Sequence, residues 1–595
     1  MPLPCDDWEY QMVDRLVAQG KLSPEFVMKQ LDNTIQNLFE IGPQAKYELN
    51  RVFDLAANQD LLTETALLTV LQAKTAIKLS PKLVEANEMI FSAIRCLADL
   101  PFGPNNRPRR DGITLPQVYR ALAWILPDHA RHIFVEDNFS RVRTLADHRR
   151  LIFQGFASRH GSPFYEASIA RKLAARNAFD CHDRIEHVAD LCAMNYDDGG
   201  DEIFHDLLEI LYSSQDQMLN PCIAPATKDA FRPLANEMST EHDLPTLRTL
   251  AIPSNCFVAL VRLLLAMQFP PPAAGEDPTE LSHFTSAAVS ICAAFTATDT
   301  PHLITHPPFD HGLHKLAPYL FDSLYRFLSV TFLGQNNLVD IPRPSREVPS
   351  RPSSDGILTL PLAAQLATFL SWNVDYTSLT CHARFKPEDA PENVSALLKA
   401  LIPPSGFEPP SILLLQGFSA ATSEPVVFGF FTPSPDKDGK AIQDVSPPNY
   451  IGVENCALFQ LAPVHEVFRG TVGKAGWSVA DDKTIVFGDV GAGASVTVTL
   501  ATPSALSAKD HATGGEEGKK RSLGRVTAQQ VVVSGEEEDP DETRGWDRED
   551  GWFEKVKARK EREKQGWTFE ADERRGDLMV EFEVELVEVW SGRQE

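Results

Sequence analysis

Four histidines, His302, His306, His311 and His314, fall in one short stretch with Asp310 among them. Imidazoles at that density could wrap a zinc ion, which takes about four nitrogen, sulfur or oxygen ligands. No cysteine joins them, and Pro301, Pro307 and Pro308 predict a stiff, extended loop. The plainer reading is a solvated loop between helices, and the spacing leaves both readings open. Asp183, His187 and Asp190 share a helical face near Cys181, His182 and Cys192. An exposed polar face beside core thiols explains that set equally well. Cys381 and His382 are adjacent, so an extended chain points them to opposite faces and they are no nucleophile-base dyad.

The other chemical signals fail on spacing. Glycine-rich 488–495 joins two strand-like runs with no Lys-Ser or Lys-Thr pair after it, and in 470–476 Lys474 is not followed by Ser or Thr. Both read as tight β-turns. There is no Gly-x-Ser-x-Gly elbow. The expectation is a protein with no catalytic, cofactor-binding or metal-ligating residues, and not an enzyme.

The elements that must position any site follow from composition and periodicity. A chain of 595 residues exceeds one hydrophobic core and divides into domains. A hydrophobic content of 43% with 23% charged residues belongs to a globular protein. The net charge of -26 argues against nucleic acid as a partner, because phosphates would be repelled. Nine cysteines without a CxxC pair suit buried free thiols in a reducing compartment. Asp6, Asp7, Glu9 and Asp14 interrupt the start of the chain, so no secretory signal is expected. The best membrane candidate, 256–269, contains Arg262 and falls short of the roughly 20 residues a span requires. A cytoplasmic protein with no transmembrane segment is the expectation.

Residues 1–340 read as a helical region. Ser23 before Pro24 and Ser80 before Pro81 are N-cap pairs, and Phe26, Leu31, Ile35 and Leu38 form a helical stripe. A Pro/Ser-rich linker is placed at 341–355, with a second domain at 356–595. There, after helices near 358–370 and 392–401, short β-branched and aromatic runs at 411–417, 425–431, 454–461, 484–487 and 495–500 read as strands. Residues 507–575 read as a charged, disordered insertion with one helix at 547–565. The sheet resumes at 580–590, where Val580, Phe582, Val584 and Leu586 alternate with Glu581, Glu583 and Glu585. Val587 and Val589 then take the other parity, so a bulge shifts the register or both faces are covered.

Two segments, 53–64 and 111–115, resemble calcium loops between helices. With Ile113 at position 8 of such a loop, positions 3, 5 and 12 become Pro108, Arg110 and Gln117, which cannot supply the oxygen set calcium needs. A degenerate EF-hand-like helix pair without the ion is the expectation.

From helical 360–370 through Trp372 and Tyr376, the strand phrases at 411–415 and 427–431, the run 454–463, 485–488 and 587–590 resemble, in order and spacing, a TLDc domain. With the helical half, including Ala98, Asp99, Leu100 and Pro101 before Gly112, Ile113 and Thr114, the chain resembles the fungal restriction-of-telomere-capping proteins. Many such relatives begin Met-Gly, whereas Pro2 here provides no glycine for N-myristoylation. The resemblance implies a β-sandwich flanked by helices, hence an α+β chain. It implies a non-enzymatic adaptor for the peripheral sector of the vacuolar proton-pumping ATPase that promotes disassembly, placed at the vacuolar membrane through that partner. It also implies links to oxidative-stress resistance and, indirectly, to telomere capping. Glu454 and Glu588 match acidic positions in the family phrases and are candidate interface residues, with a hydrogen-bonded structural role as the plainer alternative. Phe428, Phe430, Phe459 and Trp590 are expected in the core, and Gly429 and Gly488 at a close approach or turn. Two other classes compete: an oxidant scavenger acting through Cys381 or Cys456, and a pure scaffold whose contacts lie in 507–575.

Overall fold

Serine caps start helices where the sequence places them, Ser23 accepting from the Phe26 N–H at 3.3 Å, and a threonine cap joins them. The Ser80 hydroxyl accepts from the Leu83 N–H at 3.3 Å and Thr63 accepts from Ala66 at 3.2 Å. The computed structural model describes residues 7–38, 61–102, 112–127, 145–166, 202–214, 226–269, 277–297, 300–333, 356–370, 379–389, 391, 393–401, 411–419, 422–432, 456–470, 476–490, 492–501, 522–531, 569 and 578–591. The chain divides into two units, one of Met1–Ala288 with Phe295–Pro342, the other of Val289–Ala294 with Arg343–Glu595. The boundary at Pro342 falls within the expected linker, although 341–355 itself lies outside the described residues. Unlike the single division expected, a short helical stretch from upstream belongs to the second unit.

The first unit is helical: α1 (Asp7–Ala18), α2 (Pro24–Leu38), α3 (Glu64–Thr75), α4 (Pro81–Ala98), α5 (Leu115–Ile125), α6 (Leu145–Phe156), α7 (Glu202–Ser213), α8 (Lys228–Glu241), α9 (Ser254–Ala266), the start of α10 (Thr285–Ala294), α11 (His306–His311) and α12 (Asp322–Leu328). Helix α4 is central because Leu83, Ile90, Ile94 and Leu97 make one fully buried stripe, packed against α5, α6 and α9. Beside it Phe153, Phe257, Phe295, Phe309 and Phe321 form an aromatic cluster. Strand β1 (Leu61–Leu62) pairs antiparallel with β2 (Ile113–Thr114), so the ends of the two calcium-loop-like segments meet, each just before a helix. A Cβ on Gly112 would lie 2.8 Å from that of Leu61, so glycine permits this approach. Strands β3 (Ser158–Arg159), β4 (Leu250–Pro253) and β5 (Leu303–Ile304) make a second small antiparallel sheet. No helix of the described residues is long and apolar enough to cross a membrane.

The second unit is α+β. Helices α13 (Leu360–Leu366) and α14 (Val394–Leu401) accompany a ten-stranded antiparallel sheet. Its strands are β6 (Thr380–Phe385), β7 (Ser411–Ser419), β8 (Pro425–Thr432), β9 (Ala457–Ala462), β10 (Glu466–Arg469), β11 (Trp477–Val479), β12 (Thr484–Asp489), β13 (Ala492–Leu500), β14 (Gly524–Val531) and β15 (Leu578–Ser591). They run in the order β10-β9-β8-β7-β15-β14-β13-β12-β11, with β6 also paired to β15. Strand β15 is therefore interior. It pairs with β7 along one edge and, in succession, with β14 and β6 along the other.

The parity break in β15 is a bulge. Its register against β7 shifts between Val584 and Leu586, and Phe582, Val584, Val587 and Val589 consequently face the same core. Glu581 and Glu583 stay exposed, whereas Glu588 and Trp590 are turned to the other face and buried. Phe428, Phe430 and Phe459 are also buried, and a Cβ on Gly429 would lie 2.3 Å from the Phe459 ring. Gly488 has φ +88° at the bulge that opens the β12–β13 turn.

Two sequence expectations are corrected. The stiff loop expected around His302–His314 is instead helical from His306, because Pro307 and Pro308 occupy the first turn of α11, where no N–H is needed, and Gly312–Leu316 continues as a π-helix. The insertion at 507–575 contains β14 in the middle of the sheet, where Val526 and Ala528 point into the core and exposed Arg525 and partly exposed Thr527 away from it. The helix expected at 547–565 lies outside the described residues.

Candidate functional site

Glu588 is the candidate site residue that the structure describes in full, and its carboxylate is completely buried. The bulge aims it toward the segment entering α13, and every donor around it converges on its two oxygens. Oε2 accepts from the backbone N–H groups of Ile357 at 3.1 Å and Leu358 at 3.2 Å, and from the Trp590 indole N–H at 3.0 Å. Oε1 accepts from Arg384 through Nε at 2.8 Å and Nη2 at 2.7 Å. A carboxylate has about four acceptor positions, so five donors leave it no capacity as a general base or metal ligand. Chemically it is a clamp: it ties β15 to β6 through Arg384 and to the start of α13 through two successive amides. That is the structural alternative for Glu588. Glu454 lies outside the described residues.

A second polar knot lies within the same unit. Gln365 Nε2 donates to the Leu461 carbonyl at 2.9 Å and lies 3.0 Å from His465 Nδ1, and the backbone N–H of His465 donates to the Ser290 carbonyl at 3.1 Å. The Ser290 hydroxyl donates to the same Leu461 carbonyl and not to a base, so nothing in this contact raises its nucleophilicity. The imidazole of His465 packs edge-on to Phe369 at 5.3 Å.

The pKa values of the described thiols are raised. Cys381 is exposed on β6, where partial burial of its sulfur and the nearby Glu588 carboxylate raise its pKa. Burial raises that of Cys456. Burial also pushes Cys96 up to about 11 and Cys292 to about 12. A reactive thiol needs the opposite shift. Extended β6 carries Cys381 and His382, both exposed, and His382 Nε2 lies 3.3 Å from the Thr380 hydroxyl.

In the helical unit the histidine-rich segment is divided. His302 is exposed while His306 is buried beside Phe153, ring centroids 5.2 Å apart. Burial lowers the His306 pKa to about 4; Asp310 opposes this, and Arg150 and Arg149 add to it. Burial would raise Asp310, but Arg149, at 2.7 Å, and His306 outweigh it and hold Asp310 at about 2. Among the described residues no group of three or more His, Cys, Asp or Glu is placed to hold a metal ion. The set around His187 lies outside them. Nearby, fully buried Arg150 makes a two-pronged contact with Asp206, joining α6 to α7.

Sequence reading missed Arg384, Gln365, Ser290 and His465. Arg384 and His465 carry no local signal, because their partners lie far along the chain. Gln365 stands alone among apolar neighbours in α13, which is the one visible hint that a buried amide needs a partner there. Comparison with models of known protein families and with curated proteins gives no match to this chain.

Proposed function

We propose that this chain is a TLDc-type interaction protein, similar to the fungal restriction-of-telomere-capping group, that acts by binding rather than by catalysis. The observation that carries this reading is the convergence of the family-like phrases on one sheet. The runs beginning at Ser411, Val427 and Ala457 and the closing phrase 587–590 are consecutive neighbours as β9-β8-β7-β15. The segment leading into the helical phrase, at Ile357 and Leu358, is fastened to the last of them through Glu588. Residues scattered over more than two hundred positions thereby serve one layer.

The pairing of β1 with β2 supports reading the helical unit as a degenerate EF-hand-like pair, two loops braced against each other without calcium ligands. In this reading the protein is cytoplasmic and reaches the vacuolar membrane through the peripheral sector of the proton-pumping ATPase. It favours the disassembled state by binding that state more tightly. Oxidative-stress resistance and any effect on telomere capping follow indirectly. The raised pKa values of Cys381 and Cys456 count against the scavenger alternative.

The test is co-sedimentation of the purified chain with ATPase-bearing vacuolar membranes, with release of the peripheral sector assayed in parallel. Saturable binding with release supports the proposal. No binding at any nucleotide or salt condition removes this partner.

A further inference from the structure

Strand β15 presents one face of the sheet in two conditions. Its outward residues are Met579, Glu581 and Glu583 before the bulge, and Glu588 and Trp590 after it. The chain entering α13 covers the second set, with Ile357 and Leu358 bonded to Glu588. The first set is exposed. Its cross-strand neighbours on that side, Arg525 of β14 and Phe418 of β7, are exposed as well. Among the described residues this half of the face is bare.

A bare polar face is ordinary for an antiparallel sheet, and so is a lone exposed apolar residue. Here two large apolar side chains bracket two carboxylates. Met579 is 66% exposed, and Phe418, 36% exposed, stands directly across from Glu583. Successive outward residues of a strand are about 6.6–7 Å apart, so an apolar and two acidic groups follow one another over roughly 13–14 Å. Arg525, across from Glu583 on the other side, is the one cation among these residues, so the bare face keeps a net negative charge.

The order of these groups dictates what fits them. We infer that this face docks an extended partner segment carrying an apolar residue and then two Lys or Arg residues at alternate positions. An extended segment laid over β15 turns every second side chain toward it at the spacing of β15 itself. Its two cations then meet Glu581 and Glu583 while its apolar residue covers Met579. The cation over Glu583 has the Phe418 ring on which to lay its hydrocarbon stem. A segment with adjacent cations turns one of them away from the sheet. The inference rests on the reading of this chain as a binding protein and adds the chemistry of one partner segment.

The test is fluorescence anisotropy of the full chain with two labelled peptides of equal composition, Leu-Thr-Lys-Thr-Lys-Thr and Leu-Thr-Thr-Thr-Lys-Lys. The alternating peptide is expected to bind at least about threefold more tightly, since one exposed ion pair is worth up to about fivefold in affinity. Changing Glu581 and Glu583 together to Gln should weaken it at least about fivefold and abolish the preference for the alternating order. Met579→Ser should weaken it at least about twofold. Equal binding of the two peptides overturns the inference, because the net charge of -26 then accounts for the attraction by itself. Unchanged affinity in the Glu581→Gln/Glu583→Gln variant overturns it too, as does no binding of either peptide. Should that variant fail to fold, Arg525→Gln decides in its place: it is expected to tighten the alternating peptide about twofold, and no change overturns the inference. Peptide failure alongside saturable co-sedimentation strikes this face alone, whereas peptide binding without co-sedimentation strikes the ATPase partner.

Discussion

Changing Glu588 to Gln removes one charge and almost no volume, so its effect reports the clamp and little else. Each side-chain oxygen now accepts only, with three donors on Oε2 and two Arg384 donors on Oε1. An amide must turn its NH2 toward one of these sets, so at least two buried donors face a donor. Hydrogen bonds to a charged acceptor contribute about 1.5–3 kcal/mol each, and breaking a buried pair from one side costs about 3–5 kcal/mol. The Arg384 side chain is 28% exposed and its share is correspondingly reduced by solvent screening. The expected loss is about 3–5 kcal/mol, or roughly 6–15 °C in the melting of a unit of this size. Thermal and urea unfolding, with Arg384→Met and the double variant, measure it. Arg384→Met should cost about 1–2 kcal/mol, and the double variant should cost less than the two singles combined. A Glu588→Gln protein within about 1 kcal/mol of the parent would refute the clamp. A melt that is unchanged while partner binding is lost would move Glu588 to the interface instead.

Gly429→Ala puts a methyl 2.3 Å from the Phe459 ring and 2.8 Å from the Leu413 carbonyl, which is backbone and cannot step aside. It should destabilise by about 1–3 kcal/mol, read by urea unfolding, and Phe459→Leu in the same chain should recover part of the loss. His306 titrates at about 4 when folded, against about 6.5 unfolded, so the unfolded chain takes the proton first on acidification. Its contribution is complete above pH 6.5 and is lost as pH falls toward 4, about 2–3 kcal/mol by pH 4.5, and His306→Gln should flatten that slope in melts between pH 7 and 4.5. An unchanged slope would refute the assignment. Alkylation of Cys381 at pH 7 should be slow and should accelerate into alkaline solution, because burial and the nearby Glu588 carboxylate raise its pKa above that of a free thiol. Cells carrying Ser at positions 381 and 456 should keep any peroxide protection the parent confers, scored as survival after peroxide exposure.

How far the sequence could be read depended on how local each cause was. Strand β15 was legible because Phe582 and Val584 alternate with exposed glutamates, and its bulge because Val587 breaks the parity. Strand β14 was hidden because its inward residues include Ala528 and Gln530, and charged sequence surrounds it. Strand β6 has only Ala383 and Phe385 as apolar residues and gains its identity from pairing with β15. Helix α11 was concealed by two prolines that ordinarily mark a loop. For Glu588 a hydrogen-bonded structural role was legible as an alternative, but its partners were not, since its backbone donors lie 231 and 230 positions away and Arg384 lies 204 away.

Strand β15 follows every other strand in sequence yet lies between β7 and β14 in the sheet. During synthesis at the ribosome, β7–β10 and β11–β14 are both available before residues 578–591 exist. Until then the two groups have no strand to join them, and the edges of β7 and β14 carry unpaired N–H and C=O groups that other chains could join. A message interrupted after codon 531 and before codon 578 therefore yields two exposed strand edges on a nascent chain, a substrate for chaperones and degradation.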